Sequence, residues 1–293
     1  MNFDSIEKIQ SGLYDHFYIA KRDLATVIFL AMKLSKPLYL EGETGVGKTE
    51  VAKVLASMLQ GKLIRLQCYE GLDIHNAVYE WDYARQILHL RMLEAAKADQ
   101  SMIEDSLYNR RFLIARPLLQ AIESPPSERP VLLIDEIDRA DEEFESFLLE
   151  LLSDFQITIP EIGTIKAIKP PVVVITSNRT REVHDALKRR CLYHWIDYPD
   201  FDTELQIVKM KVNGVEETLS NQIVQVVQRL RQVDLFKPPG IAETLDWSRA
   251  LVALDCQALD FQTAQDTLGI LLKYQDDVLR VRELLSNDIG GLL

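Results

Sequence analysis

The chain has 293 residues and a formal net charge of −12, with 47% hydrophobic and 27% charged residues. This composition is that of an ordinary soluble globular protein, long enough for a large core or two domains. No apolar run approaches the roughly 20 residues of a membrane span, and no secretory signal is visible, so a cytoplasmic protein is expected. The acidic balance disfavours a protein that mainly binds nucleic acid, although a local basic channel stays possible.

The cysteines and histidines give no sign of a metal site or a disulfide. The three cysteines, Cys68, Cys191 and Cys256, are widely separated and form no C-x-x-C pair, and the five histidines are equally dispersed. Free thiols in a reducing compartment are therefore expected, and zinc is not.

A phosphate-binding loop is the first strong motif along the chain. Residues 1–36 have a helical pattern, and residues 37–40 are predicted to form a short buried strand. Residues 42–49 then fit G-x-x-x-x-G-K-[ST] without a mismatch, and apolar residues recur at helical spacing from 51 to 59. A strand, a glycine-rich loop and a helix N-terminus in this order let backbone N–H groups surround phosphate oxygens.

The loop predicts a nucleoside triphosphate site with Mg²⁺. Lys48 can reach the β- and γ-phosphates, and the Thr49 hydroxyl can ligate the metal ion. The alternative is a glycine turn that merely precedes a helix, which the full match disfavours. The predicted cofactor-binding residues here are Gly42, Glu43, Thr44, Gly45, Val46, Gly47, Lys48, Thr49 and Glu50.

Two acids end the next strong strand. A second strand is expected at 62–68, irregular aromatic sequence follows at 69–90, and helices are expected at 91–98 and 112–122. Residues 131–134 are apolar and lead into Asp135 and Glu136, at the strand end where α/β folds bind ligands. We expect Asp135 to support Mg²⁺ and Glu136 to orient or deprotonate a water; the alternative is a pair of surface acids.

The remaining core elements complete an α/β pattern. A helix is expected at 142–155, a hairpin at 156–167, and a buried strand at 171–178 that ends in Asn178. Asn178 could hydrogen-bond the same water, or it could be an ordinary turn residue. Strands separated by helices predict a mostly parallel sheet covered by helices on both faces.

The β pattern stops near residue 198. Helices are expected beyond it at 218–233, 242–259, 263–273 and 276–285. The sequence therefore predicts two domains, an α/β nucleotide-binding core at 1–198 and a helical lid at 199–293.

In their order along the chain, residues 42–49, 132–136, 177–178 and 186–190 resemble the Walker A, Walker B, sensor 1 and arginine-finger motifs of AAA+ ATPases. The hairpin resembles a pre-sensor-1 hairpin, and residues 69–90 resemble a helix-2 insert. Within this class the chain is similar to the MoxR family over roughly residues 15–285, and to its carbon monoxide dehydrogenase maturation type.

The resemblance implies roles for further residues. Arg190 would be the finger that enters a neighbouring subunit's site, with Arg189 as the second choice; the alternative is two solvated arginines. Arg249 corresponds to the sensor 2 arginine that contacts the γ-phosphate from the lid, or is a surface residue. Tyr18 and Ile19 would contact adenine.

Some positions depart from the family pattern or are assigned less directly. Gln67 would couple Glu136 to the pore. The lid has Trp247 and Ser248 where many members have Ser-Pro, which loosens the Arg249 assignment. Cys191 replaces a common aromatic residue after the finger, which loosens the assignment of Arg190.

The resemblance implies an Mg-ATP hydrolase that forms a ring, expected to be hexameric, and acts as a chaperone-like remodeller or activator of a partner protein or metalloenzyme. The partner would often contain a von Willebrand factor A domain. The alternatives are a nucleic-acid-translocating motor, a GTP-specific motor, for which no N-K-x-D segment is found, and a nucleotide-gated scaffold with little turnover.

Overall fold

The computed structural model describes residues 4–96, 107–125 and 127–287. The chain divides into two compact units, of which the first comprises the described residues of Met1–Ile9, Arg22–Glu41 and Val51–His194. The second unit comprises the described residues of Gln10–Lys21, Gly42–Glu50 and Trp195–Leu293. The predicted domains, 1–198 and 199–293, stay a prediction.

The described residues contain helices interspersed with strands up to the end of the last strand, and only helices after it. In chain order, strands β1 to β9 are Leu38–Gly42, Leu63–Gln67, Tyr79–Trp81, Leu113–Ala115, Val131–Asp135, Gln156–Ile159, Gly163–Lys166, Val172–Ser177 and Leu192–Ile196. Helices α1 to α13 are Ile6–Asp15, Arg22–Leu34, Lys48–Leu59, Ile74–Ala77, Tyr83–Ala95, Pro117–Ile122, Glu142–Asp154, Asp185–Arg190, Phe201–Lys211, Glu217–Leu230, Ile241–Ala253, Phe261–Leu271 and Gln275–Asn287. Short 3-10 turns occupy Arg110–Phe112 and Ile137–Arg139.

A five-stranded sheet in the order β2-β5-β8-β1-β9 organises the first part of the chain. The pairs β2 with β5, β5 with β8, and β8 with β1 are parallel. Strands β5 and β8 are buried along their whole length, which explains their continuous apolar runs. The predicted fold class, an α/β core with a mostly parallel sheet followed by a helical region, is confirmed.

The predicted helix at 112–122 is wrong in its first half. Helix α6 begins only at Pro117, and Leu113–Ala115 instead forms β4, which pairs antiparallel with β3. Arg116 is extended, with φ −91° and ψ 174°, because a residue that precedes proline is disfavoured in the helical region. Pairing with a strand more than 30 residues away could not be read from the local apolar spacing.

The aromatic residues around β3 have different environments. Trp81 is buried and lies edge-on to Tyr79 and Tyr108, with ring centroids 6.1 and 5.4 Å away. Tyr83, the first residue of α5, is 62% exposed. Trp81 therefore packs the insert, whereas Tyr83 and Tyr108 are each more than half exposed.

The hairpin predicted at 156–167 is present as β6 and β7. Gln156 pairs with Lys166 and Ile159 with Gly163, in antiparallel register. Gly163 has φ +97°, a left-handed conformation that a residue without Cβ adopts at little cost, so it closes the turn.

The helices of the second unit pack around a buried tryptophan. Trp247 of α11 is fully buried and donates its indole N–H to the Thr267 hydroxyl of α12 at 2.8 Å. Helices α10 to α13 overlap the helices predicted beyond residue 198. Helix α9, Phe201–Lys211, was not predicted from the sequence.

A buried ion pair links three of these helices. Glu204 of α9 is fully buried, and its two carboxylate oxygens accept hydrogen bonds at 2.7 Å from the Arg231 guanidinium, which follows α10. The carboxylate also accepts from Gln228 at 2.7 Å and from Thr244 of α11 at 2.9 Å. A buried charge is tolerated because each oxygen has several donors.

Replacement of Arg231 by methionine is expected to lower the free energy of unfolding by about 3–5 kcal/mol, because Glu204 keeps its charge in a buried site without its cation. Urea unfolding followed by tryptophan fluorescence measures this change. Lys209→Met is the matched control, since the Lys209–Glu217 pair is solvent-exposed and should matter far less. Equal shifts for the two variants would contradict the assigned role of the buried pair.

Candidate active site

The glycine loop that follows β1 contains two residues in a left-handed backbone conformation. Gly45 and Gly47 have φ angles of +84° and +96°, which residues with a Cβ rarely adopt. An added Cβ at Gly45 would lie 3.2 Å from the Cα of Gly240, so the loop also needs glycine for close packing. Helix α3 begins at Lys48, directly after the loop.

The Lys48 side chain lies against its own loop. It is buried, and its ammonium group donates hydrogen bonds to the carbonyl oxygens of Gly42 at 2.7 Å and Glu43 at 2.6 Å. Thr49 and Glu50 occupy the first turn of α3, where Glu50 forms an ion pair with Lys211 at 3.2 Å. Backbone carbonyl oxygens therefore already hold the Lys48 ammonium group at the loop.

Of the two residues predicted to contact adenine, Tyr18 lies beside the same loop. Tyr18 and Ile19 are half-buried, and an added Cβ at Gly47 would lie 3.7 Å from a ring carbon of Tyr18. Burial and the negative charge of Glu50 raise the pKa of the Tyr18 phenol. Tyr18 therefore stays neutral at physiological pH and offers an aromatic face with a hydroxyl donor.

The N-terminus of α11, and not Arg249, contacts the loop. The N–H groups of Ile241 and Ala242 donate to the carbonyl oxygen of Gly45 at 2.9 and 3.3 Å. Arg249 is placed two turns further along the helix, about 12 Å along its axis. Its guanidinium pairs with Asp246 at 3.0 Å and is about half exposed.

The acidic residues after β5 are held by neighbouring strands of the first unit. The Thr176 hydroxyl of β8 donates to Asp135 at 2.6 Å and accepts the backbone N–H of Glu136 at 2.9 Å. Glu136 has φ 56° and ψ 53°, an uncommon conformation for a residue with a Cβ. The Thr176 hydroxyl thus bonds to both Asp135 and Glu136 at the point where the chain turns.

Two amide side chains fix the Glu136 carboxylate. Gln67, at the end of β2, donates to one oxygen at 3.0 Å, and Asn178, just after β8, donates to the other at 3.4 Å. The Arg139 guanidinium lies 3.8 Å from the first oxygen. The structure therefore brings together Asp135, Glu136 and Asn178, and it places Gln67, which the sequence analysis had linked to Glu136, beside them.

Asp138 is a site residue that sequence reasoning missed. Its buried carboxylate accepts the backbone N–H groups of Asn178 at 3.1 Å and Thr180 at 2.9 Å, and the Thr180 hydroxyl at 2.6 Å. Burial alone would raise the pKa of Asp138, but the hydrogen bonds from Thr180 and Asn178 outweigh it and lower the pKa. The third acid in the run Asp135-Glu136-Ile137-Asp138 was the available signal.

An open cleft of about 580 Å³ lies next to the Glu136 carboxylate. Carboxylates, arginines and the Asn178 amide line it, and they include Glu70, Glu136, Asp138, Arg139, Asp141, Asn178 and Arg181. Arg181 pairs with the buried Glu145 carboxylate and donates to the carbonyl of Ala140. Because the cleft is open, water and a charged group of a ligand can reach the Glu136 carboxylate.

The two arginines at the end of α8 differ in their contacts. Arg190 donates to the Ser153 hydroxyl at 2.7 Å and to the Ala186 carbonyl at 3.0 Å. Arg189 is exposed and makes no hydrogen bond or ion pair within the described part of the chain. Both lie on a solvent-accessible helix end.

Within the ranges 4–96, 107–125 and 127–287, no helix is long and apolar enough to cross a membrane. Over the same residues, no group of three or more His, Cys, Asp and Glu side chains is placed to hold a metal ion. Mg²⁺ that arrives with a nucleotide commonly takes only one or two protein ligands, so a larger ligand group is not required for it.

The strand order, the glycine loop after β1 and the acidic pair after β5 define a P-loop fold of the AAA+ class. A family model for the AAA domain of the dynein-related subfamily matches residues 37–191. The chain belongs to this family.

Several known proteins are similar to the chain. The gas vesicle ATPase GvpN1 of Halobacterium salinarum is 23% identical over 272 residues, which cover 89% of this chain and 76% of GvpN1. An uncharacterized protein of Staphylococcus haemolyticus is 26% identical over 228 residues, which cover 75% of this chain and 77% of that protein. A RuvB mutant of Thermotoga maritima superimposes with a TM-score of 0.51 at 20% identity, over 93% of this chain and 77% of RuvB, which shows the fold alone.

Replacement of Asp138 by asparagine is expected to lower the free energy of unfolding at pH 7 by about 1–3 kcal/mol, because the loop N–H groups lose a charged acceptor. Since the folded-state pKa is depressed, the stabilisation is present above the ordinary carboxyl pKa of 3.8 and is lost as the pH falls through the lower folded-state value. Urea unfolding at several pH values measures the difference between the proteins.

The control for this prediction is Asp154→Asn, which changes an exposed aspartate at the end of α7. It should have little effect at any pH. A deficit of Asp138→Asn that stays constant from pH 7 down to pH 2 would contradict a role for the ionised carboxylate.

Proposed function

We propose that this protein binds ATP with Mg²⁺ and hydrolyses it, with Glu136 acting on the attacking water. The observation that carries the proposal is the Glu136 carboxylate, held by Gln67 at 3.0 Å and Asn178 at 3.4 Å beside an open cleft. A fixed carboxylate can orient a water and accept its proton without reorganisation during the reaction. Asn178 is assigned to the same water.

The loop residues fit a triphosphate. Positive φ angles at Gly45 and Gly47 leave the loop without side chains where phosphate oxygens would approach. Lys48 would exchange its bonds to the loop carbonyls for phosphate oxygens, and Gly42–Glu50 supplies the remaining contacts. Bound Mg²⁺ would neutralise developing charge on the phosphates; we assign Thr49 and Asp135 to hold it.

The contacts to adenine and to the γ-phosphate are assigned to residues outside the glycine loop. Tyr18 lies beside the loop, and we assign it, with the neighbouring half-buried Ile19, to the contact with adenine. Arg249 keeps its assignment to the γ-phosphate only if it leaves Asp246, to which it is bonded at 3.0 Å.

We further propose a homo-oligomeric ring, expected to be hexameric, in which one subunit supplies an arginine to the site of the next. The motif favours Arg190 as this arginine, although its guanidinium is hydrogen-bonded to Ser153. The guanidinium of Arg189 makes no hydrogen bond or ion pair to other described residues, which favours Arg189. Either arginine can extend from the end of α8 toward a second copy. An arginine supplied in trans stabilises the charge of the transition state.

The work done with ATP is proposed to be MoxR-type, chaperone-like remodelling or activation of a partner protein. Similarity to GvpN1, whose description is a gas vesicle ATPase, supports a role apart from nucleic acid. Helix α5 exposes Tyr83, Ile87, Leu88 and Met92, each by 60% or more, which supports contact with a client. A von Willebrand factor A domain partner and a metalloenzyme client of the carbon monoxide dehydrogenase maturation type belong to the same proposal.

Glu136→Gln and Lys48→Ala should separate turnover from binding. Glu136→Gln removes the base but keeps the neighbouring amides, so phosphate release should fall about 100-fold or more while ATP binding persists. Lys48→Ala should lose ATP binding itself. Malachite-green phosphate release and titration with a fluorescent ATP analogue give the two readouts, with GTP as competitor.

Glu150→Gln, an exposed glutamate on α7, is the matched control and should hydrolyse ATP like the unchanged protein. Full turnover by Glu136→Gln would refute its assignment as the base. ATP binding without turnover in the unchanged protein would favour a nucleotide-gated scaffold.

The ring proposal predicts the mass of the Glu136→Gln variant in solution. Light scattering should give a mass near six subunits with Mg-ATP and a smaller mass without it, because trapped ATP stabilises the contact between subunits. Arg190→Ala or Arg189→Ala should then lower turnover by about 10³–10⁵-fold with ATP binding retained.

Mixing the arginine variant with Glu136→Gln subunits should restore part of the turnover, since some sites then combine an intact glutamate with an intact arginine from the neighbour. A monomer under both conditions would remove the basis for a trans arginine.

A further inference from the structure

Arg65 is a charged residue in the middle of β2 that the proposed function leaves without a role. It lies two residues before Gln67, so the two side chains are on the same face of the strand. In the parallel register of β2 and β5, Gln67 stands opposite Asp135 and Arg65 opposite Leu133. Arg65 therefore reaches diagonally along the sheet toward the acidic end of β5.

The guanidinium of Arg65 binds two site residues at once. Its Nε and Nη2 atoms donate to the same Asp135 oxygen, at 3.0 and 2.6 Å, while the Thr176 hydroxyl donates to the other oxygen at 2.6 Å. Nη2 also donates to the side-chain carbonyl of Gln67. The Arg65 side chain is 54% exposed, whereas that of Asp135 is 4% exposed.

These contacts determine which end of the Gln67 amide faces Glu136. A glutamine amide has one end that accepts and one that donates, and the two ends occupy nearly the same space. Since the guanidinium can only donate, it selects the carbonyl end of Gln67, which leaves the NH2 group 3.0 Å from the Glu136 carboxylate. The reverse orientation would place two donors together and an oxygen against a carboxylate.

We propose that Arg65 is a positioning residue for ATP hydrolysis, which is anchored by Asp135 and orients the Gln67 amide so that the Glu136 carboxylate is held for reaction. This inference rests on the proposed hydrolase function. The hydrogen bonds of Arg65 go to Gln67 and Asp135, next to Glu136, so this residue should affect the rate of turnover and leave ATP affinity unchanged. Loss of the guanidinium lets the amide rotate and the carboxylate take up unproductive orientations.

The test is a double-mutant cycle on the full-length protein with Arg65→Met, Gln67→Ala and the combined variant. Arg65→Met is expected to lower kcat by about 10–100-fold, the cost of a small misplacement of a catalytic group. KM for ATP and the affinity measured by fluorescent nucleotide should stay within about threefold. If Arg65 acts through Gln67, the combined variant should be no slower than Gln67→Ala alone.

Two further variants separate positioning from general damage. Arg65→Lys keeps one donor at this place and should recover part of the lost kcat, and Arg280→Gln removes an exposed arginine of α13 and should leave kcat unchanged. Thermal unfolding of each variant shows whether it is folded.

The possible results separate the inference from the function on which it rests. An unchanged kcat in folded Arg65→Met, a rise in KM instead of a fall in kcat, or multiplicative effects of Arg65→Met and Gln67→Ala would each overturn the positioning role while the hydrolase function stands. Absence of turnover in the unchanged protein would overturn the proposed function, and the role of Arg65 with it.

Discussion

Parallel pairing of β5 with β2 on one side and β8 on the other brings the chemical groups of the first unit to one sheet edge. Gln67 stands opposite Asp135, and Thr176 follows Ile175, the partner of Ile134. The side chains of β5 are fully buried, and a shift of the strand by one residue would turn them to the wrong face. The geometry around Glu136 therefore depends on the packing of the sheet.

Each of the three acids at this edge of the sheet has a different set of hydrogen-bond partners. Asp135 is held by Arg65 and Thr176, Glu136 by the amides of Gln67 and Asn178, and Asp138 by the loop N–H groups that follow β8. Asp138 organises the backbone that carries Asn178, so it supports Glu136 indirectly. Of these three acids, Glu136 is half-buried beside the open cleft while Asp135 and Asp138 are buried, and this exposure suits a group that must accept a proton from water.

Sequence patterns predicted most elements but not their long-range pairings. The glycine loop, β5 with its acids, β8 and the hairpin of β6 and β7 were found, because each depends on apolar spacing or on residue types that are adjacent in the chain. The pairing of β3 with β4 was missed, since it joins segments over 30 residues apart and replaces half of a helix with a good apolar period. Asp138 was missed because its partners follow a different strand.

The sequence by itself determined the place of the glycine loop and the order of the motifs, and the residues without a Cβ at Gly45 and Gly47 permit the positive φ angles found there. The tertiary structure alone decided which donors hold each acid. Gln67 and Asn178 are 69 and 42 residues from Glu136 along the chain, and they reach it only because strand register places their ends together. It also decided that Trp81 is buried and Tyr83 exposed, since burial depends on what packs against each side chain and not on its type.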